Sequence, residues 1–140
     1  MTKVLLTGAS GFIAKHILRE LLAQGYDVRA SVRSDKRKAE LQGLFPEASL
    51  EFALLDLTRD EGWQEALAGC EVLIHTASPF PLSEPKDPDE LIRPAVDGTL
   101  RAMRAARDAG VKRVILTSSC AAIYKQSDKP RMQPSDETNW

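Results

Sequence analysis

Gly8 and Gly11 stand three residues apart in the stretch Thr7-Gly8-Ala9-Ser10-Gly11-Phe12-Ile13-Ala14, where an apolar run gives way to a helical pattern. Residues of this type at this spacing suit the holding of a phosphate. Gly8 permits a tight turn out of a strand. Gly11, without a Cβ, lets a pyrophosphate approach the backbone at a helix N-terminus, where free N–H groups and the helix dipole favour an anion. Position 14 needs a small side chain because helix and sheet pack closely there, and alanine meets that need. Thr7, Ser10, Phe12 and Ile13 complete the candidate phosphate turn. A Gly-x-x-Gly turn that binds nothing has the same letters, and the position between first strand and first helix favours the dinucleotide reading.

A second group of residues bears on which dinucleotide. In an NAD site an acidic residue ends the second strand and accepts from the ribose hydroxyls. Here Arg33 ends it, with Lys36, Arg37 and Lys38 just beyond. A guanidinium offers a planar fork of donors matched to phosphate, whereas a carboxylate would repel a 2′-phosphate. The expected cofactor is therefore NADP rather than NAD, with Asp35 as the residue that an NAD reading would use. A third group, Thr117, Ser118 and Ser119, follows an apolar run at what would be the carboxyl end of a strand, where ligands bind in open α/β sheets. His75 reads as a packing residue. Cys70 and Cys120 lack metal-ligand spacing, and both are expected to be buried thiols.

These groups need a scaffold, and the hydrophobic pattern supplies one. The apolar run Val4–Leu6 and the segments Val28–Arg33, Leu50–Leu55, Val72–Ile74 and Val111–Leu116 read as strands. Phe12, Ile13, Ile17, Leu18, Leu21 and Leu22 recur at helical spacing, and Gly25 ends this first helix. Residues 35–42 read as a second helix. A third is expected from about Asp60 to Leu67, N-capped by Thr58 and ended by Gly69. A long fourth runs from Asp89 to Ala109, with Pro94 in its first turns and Gly110 after it. The proline-rich residues 79–88 form a loop. Strand and helix alternate five times, which predicts an α/β fold: a doubly wound parallel sheet with right-handed crossovers, in one domain over residues 1–140.

Taken in order, TGASGFIA, Arg33, Asp56-Leu57, HTASPF and LTSSCAAIY resemble the extended short-chain dehydrogenases/reductases. The resemblance is strongest to the dihydroflavonol 4-reductase-like branch, which includes cinnamoyl-CoA and anthocyanidin reductases and microbial carbonyl reductases. It implies a Rossmann fold, NADPH as cofactor, and reduction of a ketone or aldehyde carbonyl. It implies that Asp56 accepts from the adenine amine, that Leu57 packs on the adenine ring, and that Ala77 and Ser78 line the cofactor near its phosphates and nicotinamide ribose. Ser119 would orient the substrate oxygen, with Ser118 as the other candidate. In the sugar-epimerase branch, which holds NAD, the catalytic hydroxyl falls one place later, at Cys120. The family's tyrosine and lysine occur as Tyr-x-x-x-Lys, yet Ala30 follows Tyr26 and Asp128 follows Tyr124 at that spacing. The chain is therefore expected to be the amino-terminal portion of a larger reductase, inactive alone; a non-catalytic NADP-binding module is the alternative. By the same resemblance the long helix belongs to a homodimer interface, so Leu91, Ile92, Val96, Leu100 and Met103 are expected to leave apolar surface exposed. Arg101, Arg104 and Arg107 are expected to form a solvated stripe. Substrate contact is expected only from residues 79–88 and 121–129.

Composition narrows the partners. A net charge of -1 argues against general attraction to nucleic acid or an anionic membrane. The longest apolar runs fall well short of a bilayer span, and Met1-Thr2-Lys3 leads straight into a strand without a signal-peptide pattern, so the expected location is cytoplasmic. The remaining expected partner is a small carbonyl compound.

Overall fold

A computed structural model describes residues 1–79, 87–124 and 136. Strands β1 (Lys3–Thr7), β2 (Asp27–Val32), β3 (Glu51–Leu54), β4 (Val72–His75) and β5 (Arg113–Leu116) form one parallel sheet in the order β3-β2-β1-β4-β5. Between and after them lie α1 (Phe12–Ala23), α2 (Asp35–Leu44), α3 (Trp63–Leu67), α4 (Asp89–Asp108) and the short α5 (Ala121–Tyr124). Alternation along the strands builds two cores. Val4 and Leu6 of β1 pack with Ala14 and Leu18 of α1 and Leu41 of α2, while Leu5 packs with Trp63, Ala66 and Leu67 of α3 and Ala102, Ala105 and Ala106 of α4. The sheet is thus doubly wound, as the alternating pattern predicts. The chain runs outward from β1 to β3 and then returns to place β4 on the other side of β1, so the topological switch point lies between the carboxyl ends of β1 and β4.

Polar bonds tie the layers together. The Arg29 guanidinium on β2 donates to the carboxylate of Glu51 on β3 and to the carbonyls of Glu65, Ala66 and Ala68, at 3.1, 2.7 and 3.0 Å. It thereby satisfies orphan carbonyls at the end of α3. Helices α1, α3 and α4 stop two residues before Gly25, Gly69 and Gly110, as expected.

On the first turn of α1, Phe12 and Ile13 are 79% and 59% exposed, unlike the buried Ala14 and Leu18 further along the helix. Several local expectations are corrected. Helix α3 starts at Trp63, not near Asp60, and Thr58 does not cap it. Its N-cap is Gly62, in the left-handed region at φ +81°, and the Thr58 N–H and hydroxyl instead donate to Asp56 Oδ1 at 2.8 and 2.7 Å. Cys70 is buried, but Cys120 is exposed, since the chain after edge strand β5 lies in solvent. Arg101 is not part of a solvated stripe: it reaches Asp60 and the Leu57 carbonyl. The apolar side of α4 is exposed as expected at Ile92, Val96 and Leu100, and so are Val114, Ile115 and Leu116 of β5. Residues 80–86 and 125–135, where part of the expected substrate contact falls, lie outside the described residues.

Candidate active site

A cleft of about 270 Å³ opens at the switch point, and its wall is built from the ends of four strands. Thr7, Gly8, Ser10 and Gly11 come from the end of β1, Arg33 from the end of β2, Asp56 and Leu57 from the end of β3, and Ala77 and Ser78 from the end of β4. The five other predicted residues stand outside that lining. Phe12 and Ile13 project into solvent on the first turn of α1. Lys38 lies over the Phe52 ring at 5.5 Å, a cation–π contact against β3. Thr117 and Ser119 follow β5 and are exposed.

The turn between β1 and α1 is fixed by its own backbone. Gly8 takes φ +64°, and a Cβ there would lie 3.0 Å from the Ala77 Cα. Its N–H donates to Ser31 Oγ at 3.3 Å, while Ala9 N–H donates to Ser31 O and Gly11 N–H to Gly8 O at 2.8 Å. Gly11 is the N-cap of α1 and has no side chain with which to cap it, so the first-turn N–H groups remain open to an anion. The cradle that a Cβ would fill, together with uncapped N–H donors, fits a pyrophosphate.

Thr7 and His75 are the last pair of the β1–β4 ladder and fasten the two strand ends together. Thr7 Oγ1 accepts from the N–H groups of Thr76 and Ala77 at 3.1 and 3.2 Å. Both of its lone pairs are then occupied, so its hydroxyl donates to His75 Nδ1, 2.9 Å away. That bond places the imidazole proton on Nε2, a buried donor without a partner among the described residues. Burial pushes the His75 pKa down to about 4. The ring is a neutral structural fastener, consistent with its reading as a packing residue.

At the β3 end of the cleft, Asp56 holds Thr58 through Oδ1, which leaves Oδ2 open to a ligand. The N–H bond from Thr58, then its hydroxyl bond, hold the Asp56 carboxyl below its usual range. Arg33 makes no hydrogen bond or ion pair among the described residues, whereas Arg37 is paired with Glu40. Ser119 Oγ accepts the Ala121 N–H at 3.2 Å, so its own hydrogen is available to a ligand. Thr117 N–H donates to the His75 carbonyl at 3.0 Å and aligns this segment with β4.

The sequence pattern missed Ser31, Val32, Leu55, Thr58, Trp63 and Thr76 as lining residues, while Pro79 lines the cleft at the start of the segment expected to contact substrate. Ser31 gave one available signal, a small hydroxyl two residues before Arg33 at the carboxyl end of β2. Trp63 gave none: its indole Nε1 folds back to the carbonyls of Asp56 and Arg59, at 3.3 and 3.1 Å.

The family model "NAD dependent epimerase/dehydratase family" matches residues 4–139. Tetraketide alpha-pyrone reductase 1 of Arabidopsis thaliana is 37% identical over 145 residues, covering 99% of this chain and 44% of that protein. Dihydroflavonol 4-reductase of Hordeum vulgare is 37% identical over 142 residues, covering 98% and 40%. The structure of yeast methylglyoxal/isovaleraldehyde reductase Gre2 complexed with NADPH superposes with a TM-score of 0.87 at 29% identity, covering 99% of this chain and 44% of that one. The chain therefore spans less than half the length of these relatives. The glycine turn, the switch-point cleft and these matches together place the chain in the NAD dependent epimerase/dehydratase family, in the dihydroflavonol 4-reductase-like branch of the extended short-chain dehydrogenases/reductases.

Proposed function

We propose that residues 1–140 form the NADP-binding Rossmann domain of a reductase that acts on a ketone or aldehyde carbonyl. The observation that carries the cofactor choice is Arg33, a cation without an ion-pair partner among the described residues, on the wall of the cleft that also contains the glycine turn. Arg33 would bind the 2′-phosphate. The open N–H groups at the start of α1 would bind the pyrophosphate, with Gly8 and Gly11 leaving room for it. Asp56 Oδ2 would accept from the adenine amine, Leu57 would pack on the ring, and Ala77 and Ser78 would line the path toward the nicotinamide. NADPH, when bound, supplies a hydride. The Ser119 hydroxyl would donate to the substrate oxygen and orient it. The proton donor of the reaction is not among residues 1–140 on this reading, since neither Tyr26 nor Tyr124 is followed by lysine four places on. The chain alone would bind without turning over.

Calorimetric titration with NADP⁺ and NAD⁺ tests the cofactor assignment. Arg33→Asp should weaken NADP⁺ binding by about thirtyfold or more, the scale of a lost charge-assisted phosphate contact, and leave NAD⁺ binding within about threefold. Equal losses for both would remove Arg33 from the 2′-phosphate site.

A further inference from the structure

Helix α4 contributes no lining residue to the cleft, yet it packs behind the cleft wall, in one core with Trp63 and most closely against Leu57. Gly98 is buried against it. A Cβ at position 98 would lie 2.9 Å from Leu57 Cβ and 3.2 Å from both Leu57 Cδ2 and the Leu57 carbonyl oxygen. Nothing in the helical backbone at Gly98 demands glycine, so close approach is what the residue serves here. One turn further along, the Arg101 guanidinium donates to the same Leu57 carbonyl and to the Asp60 carboxylate. Arg101 thus grips both ends of the segment 57–60, while the Trp63 indole holds the carbonyls of Asp56 and Arg59. Segment 56–58 is a short turn after β3, with a single carboxylate oxygen organising it internally. Its placement relative to the sheet therefore comes from outside the turn.

We propose that Gly98 and Arg101 are positioning residues that set the depth of the adenine-side wall, acting through Leu57 without touching the ligand. This inference rests on the proposed occupancy of the cleft by NADP. It also makes α4, whose opposite side exposes Ile92, Val96 and Leu100, a direct mechanical link to the nucleotide site.

The test is calorimetric titration of the whole chain with adenosine 2′,5′-bisphosphate, the adenine half of NADP. Gly98→Ala and Arg101→Met should each weaken binding by about fivefold or more, the scale of one lost hydrogen-bonded contact. Arg29→Met is the control: it removes an arginine of equal size from the far end of α3, lowers stability, and should leave this affinity within about twofold. In the unmodified chain, the Gly98 amide and Arg101 Nε–H resonances should shift on addition of the same probe. That measurement serves even where a substitution prevents folding. Failure of the unmodified chain to bind the probe overturns the reading of the cleft itself. Binding by the unmodified chain, with both variants as tight as the control or with the two resonances unmoved, overturns the positioning role alone.

Discussion

Consider acidification of the folded chain through the range in which a free imidazole takes up a proton. His75 is 2% exposed, and its pKa is held at about 4 against an ordinary 6.5. Between those values the unfolded chain binds a proton that the folded chain refuses. The stability this represents is fully present above pH 6.5 and is lost as pH falls toward 4. At about 1.36 kcal/mol per pKa unit the whole gap is worth about 3 kcal/mol, and the part lost between pH 7 and 4.5 is about 2 kcal/mol. Burial away from water disfavours the charged ring, and the hydrogen bonds around it act in the same direction. Nδ1 already accepts the Thr7 hydroxyl proton, and Thr7 Oγ1 already accepts two N–H groups, so an imidazolium would set donor against donor. Urea unfolding at pH 7 and 4.5, on the wild type and on His75→Asn, measures the effect. Asparagine keeps an acceptor for Thr7 and does not titrate. Its loss of the ring lowers stability at both pH values, so the slope is the readout rather than the level. Carboxylates held below their usual range, Glu51 chiefly by Lys3 and Asp56 chiefly by the Thr58 N–H, lose stability in acid in both proteins alike and cancel. The wild type should lose about 2 kcal/mol more than the variant. Equal losses, or a His75 imidazole whose NMR signals titrate near pH 6.5, would refute the reasoning.

Gly8→Ala forces a Cβ onto a positive-φ residue and to within 3.0 Å of the Ala77 Cα. It should cost about 2 kcal/mol in chemical unfolding and abolish NADP⁺ binding, and a fully stable, binding-competent variant would count against the cradle. Arg29→Met strips the end of α3 of its guanidinium and leaves Glu51 with Lys3 alone. A loss of about 2 kcal/mol is expected by urea melt, and an unchanged midpoint would show that these bonds contribute little. The exposed Ile92, Val96 and Leu100 should make the chain self-associate in sedimentation velocity. Their joint replacement by glutamine should reduce that without lowering stability, and a monomeric wild type would sink the idea.

Much of the scaffold was legible because it is written locally. The Val4-Leu5-Leu6 run could only be a strand covered on both faces, and the two cores divide it residue by residue. Gly8, Arg33, Asp56 and Ala77, far apart in sequence, meet in the cleft because each follows a strand of one parallel sheet. The failures were of a different kind. Cys120 reads as a buried thiol from its place beside an apolar run, but that run is edge strand β5 and the cysteine is exposed. Thr58 had the chemistry of a cap, yet the Asp56 carboxylate two residues away captured it first. Lys38 follows Arg33 closely in sequence, and what sequence does not show is that its ammonium lies over the Phe52 ring, outside the cleft lining. Arg101 looked solvated on a helical wheel, and only the tertiary fold brings Asp60 and Leu57 within its reach.

The strand order also determines how the chain must be assembled. β1 is made first but sits at the centre, and one of its two neighbours, β4, is registered 68 positions later, Val4 against Val72. The unit from β1 to β3 closes through short loops, whereas the β1–β4 junction closes through a long one and carries its entropy cost. Until residue 75 leaves the ribosome, β1 presents an unpaired edge with Leu5 and the glycine turn beside it. The cleft therefore cannot become whole until β4 joins β1, and a nascent intermediate lacking β4 is a candidate for capture by a chaperone.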